Sequence, residues 1–403
     1  MSQLIFIVNN KLSHLKHLIP REEFEHMKKH QLIATTASGI EAIAGKELRE
    51  LGYETQVENG RIRFEGTEKD IAKTNLWLRS ADRIKIVIGE FTAKTFDDLF
   101  EATKALPWED YIPLGGAFPV SGKSNHSTLY SVPDVQSIVK KAIVDKLSDV
   151  YHRTGMLPET GATYPLEVAI VKDKVLLTLD TTGDSLFKRG YRLEKGGAPL
   201  KENMAAALIL LTNWYPDKPF HDPMCGSGTL PIEAALIGHN IAPGFNRSFL
   251  CETWASFPEE LWNEVRMEAE EAANYDVELD ITGSDIDHRM VEIAKQNAIE
   301  AGLGDSISFK QMQLSDFQTS GGENGVIVTN PPYGERLGDE ESSIALYKEM
   351  GRQFKPLTTW SKYILTSDLD FEKHYGDRAT KKRKLYNGRI RTDLFQFWGK
   401  RKR

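Results

Sequence analysis

Cysteine is nearly missing from this 403-residue chain: Cys225 and Cys251 are the only two. That is too few for a disulfide framework or a Cys-rich zinc fold, and it fits a reducing compartment, so a cytoplasmic location is expected. Long apolar runs are missing as well. No stretch approaches the roughly 18–20 residues of a membrane span, and the run Leu4 to Val8 is too short for a signal-peptide core. No membrane partner is therefore expected. The chain also lacks an overall excess of positive charge, with 51 Lys+Arg against 58 Asp+Glu. Two nucleotide signatures are lacking too: there is no G-x-x-x-x-G-K-[ST], and Pro231 stands where G-x-G-x-x-G would place its third glycine. Both ATP hydrolysis and hydride transfer lose ground.

What remains is ordinary globular material, 40% hydrophobic and 27% charged, long enough for two or three compact units. The net charge of −7 hides an asymmetry. Residues 377–403 hold eleven Lys/Arg against Asp377 and Asp393, which leaves the rest at −16. Such a basic end is a hint of a polyanionic partner, although a solvated tail would have the same composition. Residues 1–26 lack periodicity and read as an N-terminal extension, with Met27 a candidate start.

Two textures meet near residue 195. Before it, short strands and helices alternate with hairpin turns. Asn59-Gly60 supplies the positive φ angles of a tight turn between strands of Glu54 to Phe64, and Ile40 to Leu51 is amphipathic. Helix Asp70 to Ala81 and strand Ile84 to Phe91 follow, an α+β pattern. A polar stretch, Ser121 to Ser127, containing Lys123 and Ser124, reads as a loop feeding a helix from Pro133 to Leu147. Hydroxyls, a lysine and backbone N–H groups there would suit phosphate oxygens. Farther on, Lys188, Arg189, Tyr191 and Arg192 beside the Gly196-Gly197 break have the composition of a grip on a nucleotide strand, or of a packed linker. After residue 198, strands alternate with helices in the manner of a parallel α/β sheet, except that a hairpin about Asn387-Gly388 makes the last strand antiparallel.

Three motifs carry chemistry. Asp222-Pro223-Met224-Cys225-Gly226-Ser227-Gly228-Thr229 lies where a strand gives way to a helix, and its glycines let backbone approach a nucleoside-containing ligand. Asp285, with Ile286 after it, ends the next strand, where a carboxylate can accept from both ribose hydroxyls. It follows Gly228 by 57 residues, against about 20 in the usual motif, so an insertion is expected, with Glu259 to Asn274 as an extra helix bearing Trp262 and Val265 on one side. Asp287 reads as a helix N-cap. Third, Asn330-Pro331-Pro332-Tyr333 ends the fourth strand. The Asn amide oxygen and a carbonyl that proline leaves free are two fixed acceptors, which select an amine; a base ring would stack on Tyr333.

Together these residues resemble the S-adenosylmethionine-dependent methyltransferases that act on base amino groups. Asp222 to Thr229, Ala198-Pro199-Leu200-Lys201-Glu202, Asn330 to Leu337, Lys384 to Gly388 and Ile33 to Glu41 are similar to segments of the bacterial 23S rRNA guanine-N2 methyltransferases. The resemblance implies a Rossmann-like methyltransferase domain at 198–403, preceded by a ferredoxin-like segment at 27–70, a THUMP RNA-binding domain at 71–182 and a linker at 183–197. It places cofactor contacts on Asp222, Met224 to Thr229, Asp285, Ile286, Asp316 and Asn330. It implies methyl transfer from S-adenosyl-L-methionine to N2 of a guanine in 23S rRNA or a ribosomal precursor, with no metal. A tRNA guanine methyltransferase, a DNA adenine-N6 methyltransferase and a silent RNA-binding protein are the alternatives.

Overall fold

The computed structural model describes residues 28–192, 200–332, 340–388 and 390–400. The N-terminal extension, linker residues 193–197 and Tyr333 lie outside them. The strands are β1 (His30–Thr35), β2 (Gln56–Glu58), β3 (Arg61–Gly66), β4 (Arg83–Thr92), β5 (Val120–Asn125), β6 (Leu166–Val171) and β7 (Lys174–Asp180). In the second half they are β8 (Phe220–Asp222), β9 (Ile281–Asp285), β10 (Ser308–Gln311), β11 (Val326–Thr329), β12 (Ser361–Thr366), β13 (Lys381–Asn387) and β14 (Ile390–Phe397). Among the described residues, no helix is long and apolar enough to cross a membrane.

The first seven strands form one sheet in the order β2-β3-β1-β4-β7-β6-β5. Asn59-Gly60 makes the expected hairpin between β2 and β3, with Gly60 at φ +71°. The ferredoxin-like and THUMP textures thus share a continuous sheet, because β4 pairs with β1 on one side and β7 on the other. The second sheet runs β10-β9-β8-β11-β12-β14-β13. Neighbours from β10 to β12 are parallel, and β14 is antiparallel to both β12 and β13. This is the α/β sheet with an antiparallel last strand expected from sequence. Strand order reverses between β8 and β11, and in such sheets the ligand crevice opens beyond the carboxyl ends of the strands at that point.

The insertion between Gly228 and Asp285 joins the halves. Its helix, Glu259–Ala272, buries Trp262 and Val265, and these share a core with Leu76, Leu99, Trp108 and Leu179 of the N-terminal half. Nearby, Trp254 stacks on Tyr164 with centroids 4.8 Å apart and donates its indole N–H to the Thr163 carbonyl at 2.9 Å. Lys69 reaches Glu264 and Glu268, each at 2.8 Å. In the opposite sense, Ile40 and Ile43 pack into the core of the second half.

Candidate active site

The glycine loop begins at the end of β8. The Asp222 carboxylate accepts from Met224 N–H at 3.2 Å, which turns the chain outward. Gly226 and Gly228 then take φ angles of +51° and +83°, which L side chains rarely adopt. At Gly228 there is a second reason: a Cβ would lie 3.0 Å from the Ala294 side chain and 3.1 Å from the Phe309 ring. Gly226 is open instead, its nearest neighbour to a Cβ being Met290 Cε at 4.0 Å. Helix Thr229–Gly238 follows, with its first N–H groups behind the loop. Cys225 and Ser227 are buried, and Cys225 N–H donates to the Ser284 carbonyl of β9 at 2.9 Å. Burial pushes the Cys225 thiol well up, so it is a packed neutral group and not a nucleophile.

Asp285 closes the loop from the next strand. Its two oxygens accept from Gly226 N–H at 2.9 Å and Asp287 N–H at 3.0 Å. Each oxygen keeps a further lone pair, so two ribose hydroxyls can still be received. Asp287 is the helix N-cap expected, accepting from Arg289 N–H at 2.9 Å. Ile286 is 67% exposed beside it, an apolar surface left uncovered. Asp316 is exposed in the turn after β10, and Met312 N–H binds the Asp285 carbonyl at 2.9 Å, which holds this run next to the end of β9.

Across the switch point, β11 delivers Thr329 and Asn330. Thr329 donates its hydroxyl to Asp222 at 2.8 Å. Pro331 is buried and Pro332 half-buried. The Asn330 Oδ1 atom is buried with no hydrogen-bond partner among the described residues, and an amide oxygen left so costs free energy unless a ligand fills its need. These features fit S-adenosylmethionine: an open glycine turn, a carboxylate with free lone pairs at the next strand end, a bare aliphatic surface and a buried amide oxygen without a partner among the described residues.

Asp222 is 2% exposed, and burial pushes its carboxyl up to about 7 despite the hydrogen bonds from Thr329 and Met224. An unfolded aspartate ionises near 3.9, so the unfolded chain releases this proton first and the group's contribution to stability falls as pH rises from about 4 to 7. Urea unfolding of Asp222→Asn without cofactor is therefore expected to lose part of that decline, by up to a few kcal/mol; a pH profile parallel to the parent would refute it. Asp285→Ala is expected to weaken S-adenosylmethionine binding roughly ten- to a hundredfold by calorimetry, and unchanged affinity would remove the residue from the site.

Among the upstream residues expected to contact RNA, Ser124, Arg189 and Arg192 need correction, as does the loop at Ser121 to Ser127. Ser121 to Asn125 is strand β5, not a loop: Ser124 spends its hydroxyl on the Leu129 carbonyl at 2.6 Å, and Lys123 pairs with Glu167 at 3.0 Å on the adjoining β6. Arg189 is 3% exposed, bound to Glu233, to the Leu186 carbonyl and to the Arg79 carbonyl. Arg192 binds Glu202 at 2.8 Å and the Thr229 hydroxyl at 2.8 Å. Both are internal struts, whereas Lys123 and Lys188 stay exposed, beside Glu167 and Asp184 respectively. Sequence reading missed their partners. The signal was there: Glu202 and Glu233 are lone acids in otherwise apolar helices, and such an acid needs a buried cation. Asn297, whose amide donates to the Ser227 carbonyl at 3.0 Å, was also missed, since a helical Asn carries no distinguishing pattern.

Three family models match in sequence: the RlmL ferredoxin-like domain over 31–85, the THUMP domain over 93–180 and the RMKL-like methyltransferase domain over 189–396. YpsC of Bacillus subtilis, which carries a provisional RNA methyltransferase name, is 60% identical over 93% of this chain and 97% of its own. Ribosomal RNA large subunit methyltransferase K/L of Syntrophotalea carbinolica is 35% identical over 91% of this chain, which spans only 53% of that relative. Among solved structures, a protein of Listeria monocytogenes described as a predicted N6-adenine-specific DNA methylase is 62% identical at a TM-score of 0.90, covering 95% of this chain and 99% of that one. A methyltransferase, SMU.472, solved with S-adenosylhomocysteine, is 57% identical at a TM-score of 0.90, covering 93% and 100%. The match over 189–396, the sheet order and the loop geometry agree: the chain belongs to the RMKL-like family of S-adenosylmethionine-dependent RNA methyltransferases.

Proposed function

We propose that this protein methylates the exocyclic N2 amine of a guanine in 23S rRNA, in the cytoplasm and without a metal. The observation that carries the reading is the buried Asn330 Oδ1 at the end of β11, beside the glycine loop and without a partner among the described residues. The THUMP match and the large-subunit names of the K/L relatives support RNA, and the large subunit in particular, as the substrate.

Bound S-adenosylmethionine supplies an electrophilic methyl group on a cationic sulfur. The chain's own residues do the rest by binding and orientation. Backbone of Met224 to Thr229 holds the amino-acid end, Asp285 takes the ribose hydroxyls, and Ile286 and Asp316 meet the adenine. Asn330 Oδ1 and the Pro331 carbonyl accept the two N2–H bonds, so the amine presents its lone pair instead of its protons; Pro332 keeps the turn rigid and Tyr333 stacks on the base. Alignment of this kind recovers about 7–11 kcal/mol of barrier. The nitrogen gains the methyl group and then loses a proton to water. The guanine must be unpaired or flipped, since pairing would occupy the same amine.

The same tetrapeptide would serve an adenine N6 amine, as in the description of the Listeria relative, and a tRNA guanine has the same N2 group. Mapping methylated guanines in the RNA of cells lacking the protein decides. Loss of one N2-methylguanine from 23S rRNA is the expected result; loss from tRNA or from DNA adenines would replace the reading.

A further inference from the structure

Two cavities meet at Lys201, which lies on the methyltransferase side of the joint between the halves. One, of about 660 Å³, is bounded by Phe187, Lys188, Arg192 and Arg247. The other, of about 450 Å³, is bounded by Ser38, Asp82, Asn203 and Tyr386. Lys201 borders both, and each has the size of a small-molecule pocket, room for about one nucleotide.

The charges in the first cavity do not cancel. Lys188 is matched by Asp184, Arg189 by Glu233 and Arg192 by Glu202. Arg247 is different: its partners among the described residues are the carbonyls of Asp184, Ser185, Lys188 and Ser248, not a carboxylate. Burial lowers its guanidinium to about 10, so it is still cationic at neutral pH. Lys201 is exposed, makes no ion pair among the described residues, and sits over the Phe187 ring at 4.8 Å. Two uncompensated cations and an aromatic ring therefore line one hollow. The second hollow has another ring, Tyr386, with the polar groups of Ser38, Asp82 and Asn203 around it.

Both hollows lie by the catalytic edge. Arg192 runs from the first to Thr229 at the head of the cofactor loop. Tyr386 pairs with Arg391, whereas Thr366 at the end of β12 pairs with Asp393, so the β13–β14 hairpin projects beyond the strand ends that carry Asp222 and Asn330. The hairpin is held against the N-terminal half by Arg383, which donates to the Gly39 carbonyl at 2.7 Å.

We propose that the two hollows form one groove for single-stranded RNA flanking the target nucleotide, with Lys201 facing a phosphate, Arg247 adding positive charge to the track, and Phe187 and Tyr386 stacking on splayed bases. This rests on the RNA substrate proposed above. Bases stacked on aromatic rings beside a positive track are how unpaired strands are held without duplex geometry.

The test uses the full-length protein and total RNA from cells lacking it, with saturating S-adenosylmethionine. Lys201→Ala and Tyr386→Ala are each expected to raise KM for RNA roughly five- to twentyfold, with cofactor affinity unchanged. Tyr386→Phe keeps the ring and should retain the parental KM. Lys201→Ala should also flatten the dependence of log affinity on log salt by about 0.7. Lys201 is exposed, so its replacement leaves the core intact. If the parent methylates RNA and both alanine variants match its KM and salt dependence, the groove is refuted and the substrate stands. If the parent methylates no RNA, the substrate reading falls and takes the groove with it.

Discussion

Asn330→Ala is expected to lower kcat by roughly a hundred- to a thousandfold while S-adenosylmethionine still binds. The side chain ends β11, where its Oδ1 is buried with no partner among the described residues. Such an atom costs free energy unless a partner binds it, and in the function proposed above that partner is the substrate amine. Removing the amide takes away one of two acceptors that orient the nucleophile, and it leaves the glycine loop and Asp285 untouched. Single-turnover methyl incorporation and calorimetric cofactor titration measure the two halves separately. Full turnover in the variant would end the catalytic assignment. Loss of cofactor binding in step with loss of activity would instead make Asn330 a structural support for the loop.

The second large effect concerns stability. Arg189→Ala is expected to destabilise the protein by about 3–5 kcal/mol, because it strands a charge that has no access to water. Glu233 is 0% exposed, and its carboxylate is held by Arg189 and by the Tyr191 hydroxyl at 3.1 Å. Arg189 also ties the Arg79 carbonyl of the N-terminal half to this helix. The urea midpoint should therefore fall sharply for Arg189→Ala, and less for the double variant Arg189→Met with Glu233→Leu, where no charge is left unpaired. An RNA-contacting arginine would behave in the opposite way, with unchanged stability and a higher KM for RNA.

The insertion changes how the N-terminal half can be tested. Deleting residues 27–190 would remove the expected RNA-recognition module. Yet Trp254, Phe257, Trp262 and Val265 of the methyltransferase half are buried in the same core as Leu76 and Leu179. The deletion would expose them, with a large loss of apolar burial. Point substitutions on the groove separate recognition from folding, and truncation does not.

The sequence alone determined the features that depend on neighbouring residues. Hairpin turns at Asn59-Gly60 and about Asn387-Gly388, the glycine loop, the acid ending β9 and the Asp287 cap are all set by local backbone preference, and the structure has them where they were read. The insertion was legible too, as a count of residues between Gly228 and Asp285. What it packs against was not. Tertiary structure alone decided that Arg189 and Arg192 turn inward, that Ser121 to Asn125 pairs alongside β6, and that Lys201 stands between two hollows. The reason is the range of the forces. An arginine in a sequence shows its charge but not its counter-charge, and Glu233 lies 44 positions from Arg189. Only the fold, by bringing distant carboxylates to some cations and not to others, settles which positive charges are spent inside the protein and which face a ligand.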